Sequence, residues 1–139
     1  MPETSTRILV STAEPISSDL LRNVTGGLPR DAEVLVISPA TTHSALRFWV
    51  SDVDEAISRA ADAQEATVGH LQEAGLEASG AVGDSDPLQA IEDALATFDA
   101  DRIVLVEHAG ERDYREGDDV AAQARDRFGR PVDRGTVSR

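Results

Sequence analysis

The sequence predicts one doubly wound α/β domain, Rossmann-like, with a five-stranded parallel sheet and helices on both faces. Three observations lead there. Short apolar runs, RILVS at 7–11, EVLVIS at 33–38 and RIVLV at 102–106, read as strands buried on both faces. Segments with three- and four-residue apolar spacing separate them, giving the order βα-βα-βα-βαβ. These crossovers are long enough to join parallel strands through helices, and right-handed connections place the helices on both faces. The 139 residues are close to a common domain size of roughly 100–150, so 1–139 is expected to form a single unit.

Each element has a local cause. After the first strand, Ser17 or Ser18 can cap a helix from about Asp19 to Val24, and Gly26 and Gly27 stop it. Pro39 ends the second strand. Ser51 caps the longest helix, about 52–74, whose first turn is acidic through Asp52, Asp54 and Glu55. Val50, Val53, Ile57, Ala60, Val68 and Leu71 form its expected core-facing stripe, and Gly75 stops it. The third strand, 76–82, is less apolar and is expected near an edge. Ser85 or Asp86 caps the next helix, with Pro87 in its first turn and Leu88, Ile91, Leu95 and Phe98 on its buried face. RIVLV is the clearest buried strand. A loop leads to a helix at about 118–128 and a weak last strand at 131–137.

Composition limits the partners. The net charge is −13, and all 13 basic residues are arginines, scattered along the chain. Such a surface repels nucleic acid and anionic lipid over about a Debye length, so neither is expected as a partner. The acidity fits either a compositional bias or adaptation to high salt. With no cysteine there is no disulfide or thiolate chemistry. No apolar run approaches the roughly 20 residues of a membrane span. The polar start MPETSTRILV lacks an export signal, which favours the cytoplasm.

In open α/β sheets ligands bind beyond the carboxyl ends of the strands. Two segments lie there: STAEP after the first strand, and 107–119 after the fourth. Three pieces of sequence resemble the universal stress protein family, within the adenine-nucleotide alpha-hydrolase-like group. They are the opening RILVSTAEP, the helix entry GDSDPLQAIEDA, and the strand IVLVEHAG with its loop. Their order and spacing, with the "RPV" approach to the last strand, extend the likeness over nearly the whole chain.

Nucleotide-binding members of that family hold phosphates in a G-x-x-G-x9-G-S/T loop, with an aspartate after strand one and backbone at the end of strand two. Here Ala13 stands at the aspartate position, and Pro39, which has no N–H, stands where the backbone would meet adenine. Ala109 and Arg112 fall near the first two loop glycines, and Asp118 and Asp119 near the final Gly-Ser. A carboxylate about 5 Å from a phosphate charge repels it by roughly 3 kcal/mol at an effective dielectric near 20. ATP or AMP held in the family's manner is therefore disfavoured, and no cofactor is expected. Gly110 and Gly117, with Arg112 and Arg115 between them, leave room for a differently shaped anion site.

The remaining candidates are weighed against plainer roles. Glu107 and His108 can grip a polar ligand or form an acid–base pair, but neighbours along a strand point to opposite faces. Ser11, Thr12 and Ser17 sit where a phosphate loop would begin, yet no Walker or nucleophile-elbow pattern surrounds them. Loop capping is the simpler reading. His43, His70 and His108 lack metal-ligand spacing, so no metal is expected. Phe48 and Trp49 read as packing at the helix entry rather than as a stacking platform.

With no nucleophile, metal or cofactor motif, the sequence points to a non-catalytic, stress-response or regulatory domain, acting through self-association, a protein partner or a small ligand. The alternative is an adenine-nucleotide-binding regulatory module with a modified loop 107–119. The resemblance implies a homodimer through the last strand, although PVDRGTV carries a charged pair and a glycine that weaken edge pairing. A helix-face dimer is the fallback.

Overall fold

The computed structural model describes residues 6–12, 15–27, 32–39, 52–83, 87–108 and 120–137. Among the described residues nine elements alternate: β1 (Arg7–Thr12), α1 (Ser18–Thr25), β2 (Glu33–Pro39), α2 (Asp52–Glu73), β3 (Glu77–Gly83), α3 (Pro87–Leu95), β4 (Arg102–His108), α4 (Val120–Phe128) and β5 (Val132–Val137). The strands form one sheet in the order β3-β2-β1-β4-β5, and every neighbouring pair is parallel. This is the expected doubly wound α/β sheet, with the weakly apolar β3 at an edge.

Strand alternation divides the interior into two layers. Ile8 and Val10 of β1, Val34 and Val36 of β2, and Val104 of β4 face one side, with Leu21 of α1 and Leu71 of α2 packed on them. Leu9, Ile37, Ile103 and Leu105 face the other side, under Ala90, Ile91 and Ala94 of α3, with Phe128 of α4 joining them. Residues one apart on a strand point to opposite faces, so a central strand must be apolar at nearly every position. That is why β1 and β4 read as unbroken apolar runs.

Helix ends follow from their caps. Ser17 is the N-cap of α1, its Oγ accepting the Leu20 N–H at 3.2 Å. Gly26 ends the helix with φ +80, a left-handed conformation that costs glycine nothing, and its N–H bonds the Arg22 carbonyl. In α2 the core stripe differs from expectation. Ala60 and Leu71 are buried and Val68 packs at the margin, but Ile57 is 45% exposed. The buried line runs instead through Ala60, Ala63, Thr67 and Leu71. Val50 and the side chain of Val53 lie outside the described residues. Among the described residues, no helix is long and apolar enough to cross a membrane.

Arginines tie the amino ends of the strands together. The Arg7 N–H donates to Asp101 Oδ2 at 2.9 Å while its Nε pairs with Glu33 at 3.2 Å. Arg102 pairs with Asp133 at 2.6 Å across β4 and β5. Arg130 donates to the Ala100 carbonyl at 2.7 Å and to Asp99 at 3.0 Å.

Candidate ligand site at the carboxyl edge

The chain reverses its direction of travel across the sheet between β1 and β4. From β1 it moves outward to β2 and β3; α3 then carries it back past β1 to β4 and β5. The connections leaving β1 and β4 therefore diverge to opposite faces, and the gap between them is the natural ligand position of such a sheet.

Buried hydroxyls floor this position. Ser11 and Thr12 end β1, are both buried, and lie level with Leu105 and Val106 of β4. Alternation turns Thr12 toward the α1/α2 layer and Ser11 toward the α3/α4 layer. The β1–β2 register, with Ser11 opposite Ile37, sets Thr12 level with Ser38. Ser38 is fully buried, and among the described residues its Oγ has no hydrogen-bond partner. An unmet buried hydroxyl is a cost of about 1–3 kcal/mol. Ser38→Ala is accordingly expected to leave stability unchanged or raise it by about 1 kcal/mol in urea unfolding, and a loss of that size would contradict the geometry.

The segment leaving β1 is fixed from behind. Thr67, fully buried in α2, donates its hydroxyl to the Ala63 carbonyl at 2.8 Å and accepts the Ile16 N–H at 3.1 Å. Ile16 itself sits in the α1/α2 core. One side chain thus satisfies a buried backbone donor 51 residues away and sets where β1 hands over to α1. Thr67→Val keeps the shape but strands that N–H, so stability is expected to fall by about 1–3 kcal/mol. Amide hydrogen exchange at Ile16 should rise with it; protection equal to the parent's would show that the bond carries nothing.

The expected site residues are placed as follows. Ser11 and Thr12 stand at the switch point. Glu107 and His108 continue β4 beyond the level of Thr12, opposite Thr136 and Val137 of β5. Pro39 ends β2 on its pairing with Gly83 of β3, two strands from β4. Ala13, Gly110, Arg112 and Arg115 lie outside the described residues. His70 is exposed on α2, remote in sequence and element from His108. Sequence reasoning missed Ser38 and Thr67. The signal for Thr67 was available: it completes a three- and four-residue spacing with Ala60, Ala63 and Leu71.

No protein-family model matches the chain. No curated protein matches it either. Among solved structures, that of a universal stress protein from Archaeoglobus fulgidus superposes with a TM-score of 0.59, covering 95% of this chain and 99% of that one at 16% identity. The two chains share a fold.

Proposed function

We propose that the chain is a non-catalytic, cytoplasmic regulatory or stress-response domain of universal stress protein type, which acts through self-association or a protein partner and does not hold ATP in that family's manner. One observation carries the nucleotide part of this reading. The segment 107–119, which begins on the last two residues of the switch-point strand, contains six carboxylates and only two arginines. On the β1 side, the described groups that end the strand are the neutral hydroxyls of Ser11 and Thr12. A triphosphate held by this segment would meet repulsion where a cradle of backbone N–H groups and cations is needed.

Calorimetric titration with ATP tests this, together with ultraviolet absorbance of any nucleotide released on denaturing the purified protein. The expected result is no adenine absorbance and a dissociation constant weaker than about 10 μM, or roughly −7 kcal/mol. Tighter binding would establish the second reading, a nucleotide-binding regulatory module in which Arg112 or Arg115 replaces the lost donors. What favours that reading is Ser38: its buried hydroxyl lies level with Thr12 and has no partner among the described residues, leaving one hydrogen bond for a ligand group that displaces the packing over it.

A further inference from the structure

The helices differ in charge. α2 carries six carboxylates and one arginine, whereas α1 has one of each, α3 two carboxylates, and α4 one carboxylate against two arginines. Asp62, Glu65 and Glu73 of α2 are exposed, and among the described residues none of them meets an arginine. The anchoring of this helix is uneven. Its buried line is Ala60, Ala63, Thr67 and Leu71, so the large apolar side chain stands near the carboxyl end. Toward the amino end Ile57 is 45% exposed. Between the alanines and Leu71 lies Gly69, where the backbone is helical and a Cβ would meet nothing within 4 Å. Neither conformation nor packing calls for glycine there, and it makes that turn the softest point of a helix that alanine would stabilise.

We propose that the amino-terminal half of α2 is a lid, hinged at Gly69, which covers the buried hydroxyl of Ser38 and lifts at low ionic strength. α2 runs antiparallel to β3, because Gln72 Nε2 reaches the Ala78 carbonyl at 3.1 Å while Gln64 lies over Gly80. Val82 is two residues beyond Gly80 and pairs with Ser38, so their level meets the turn of α2 around Ala60. Ser38 faces that side of the sheet, as Val34 and Val36 do. Its Oγ, without a partner among the described residues, is thus covered by a stretch of helix seated on two alanines. Thr67 is two residues from the hinge, so it keeps its bond to Ile16 while the far end moves.

Charge sets the balance of the lid. α2 carries −5 of the chain's −13, leaving −8 elsewhere. Seating the helix brings like charges together and lifting it separates them. The Debye length is about 30 Å at 0.01 M salt, so the whole domain feels this repulsion, and about 3 Å at 1 M, where it is screened. Low salt therefore favours opening and high salt favours seating. Asp52, Asp54 and Glu55 at the amino end suit the helix dipole, so the movement is the undocking of an intact helix rather than its melting. The lid governs access to the carboxyl-edge position whatever ligand binds there.

The chain has no cysteine, so Ser38→Cys places a single thiol beneath the lid with little change of shape. Its alkylation by iodoacetamide, an uncharged reagent, is measured at about 10 mM and about 1 M sodium chloride. Each rate is divided by that of Ser58→Cys, an exposed position on the same helix. Urea unfolding of the Ser38→Cys protein gives the labelling that global unfolding alone would allow. At low salt the thiol is expected to react at least about tenfold faster than that limit, and at high salt the two converge. Adding Gly69→Ala should slow the low-salt reaction about two- to fivefold beyond its effect on global unfolding. Adding Asp62→Asn/Glu65→Gln should shrink the salt dependence. Ala60→Cys, on the underside of the lid, reports the same opening where Ser38→Cys disturbs the core. Labelling that follows global unfolding at both salt concentrations overturns the lid. Fast labelling indifferent to Gly69→Ala overturns the hinge, and a salt dependence untouched by the loss of two carboxylates overturns the control by charge.

Discussion

Leu71→Ala and Ile91→Ala are each expected to lower unfolding free energy by about 2–5 kcal/mol, the range for emptying a fully buried aliphatic site. Both side chains are 0% exposed, but they belong to different layers: Leu71 to the α1/α2 side of the sheet, Ile91 to the α3 side. The sheet lies between them, so they share no cavity and their costs should add within about 0.5 kcal/mol. The summed loss approaches the whole stability of an ordinary domain, about 5–15 kcal/mol, and the double variant should be largely unfolded or molten at 25 °C. Urea unfolding followed by circular dichroism measures each single variant. Losses below 1 kcal/mol at either site would mean that the layer in question is loosely packed, and the two-layer account would fail on that side.

Gly135→Ala is expected to cost about 1–3 kcal/mol, a large effect for one methyl group on an edge strand. A Cβ at this position would lie 2.6 Å from Val24 Cγ2, so α1 rests on β5 at van der Waals contact with the glycine backbone. Val24 is β-branched and has few rotamers through which to withdraw. The second site tests the cause: Val24→Ala/Gly135→Ala removes the clash and should recover most of the loss relative to Val24→Ala alone. No recovery would point to strand propensity in place of contact, and that outcome would refute the packing explanation.

Gly135 also shows where the sequence stops being informative. Within PVDRGTV it reads as a residue that weakens a strand, a property of the strand alone. Its reason in the structure is the approach of a helix more than 100 residues earlier in the chain. Patterns set by one element were legible. The apolar runs gave β1, β2 and β4, the Ser17 and Gly26 caps gave the limits of α1, and the weak apolarity of β3 gave its edge position. Properties that depend on which elements meet were not. Ile57 keeps helical spacing with Ala60 yet points to solvent, because α2 turns its line of Ala60, Ala63, Thr67 and Leu71 to the sheet. The candidate site divides the same way. Ser11 and Thr12 could be placed by counting along a strand that ends at the switch point. The burial of Thr67 was legible from its spacing, but neither its role nor that of Ser38 was, since one acts through a bond spanning 51 residues and the other through its neighbour's register.

The arginines gathered beneath the sheet have a consequence for whatever approaches from above. Arg7, Arg102 and Arg130 are each neutralised by a carboxylate at the amino ends of the strands. With a net charge of −13 and these three cations already paired, the field around the chain is negative. A cationic visitor is attracted by it, and its arrival slows as ionic strength rises; an anionic one shows the opposite trend. The slope of association rate against salt thus reports the sign of a visitor's charge before its chemical identity is known.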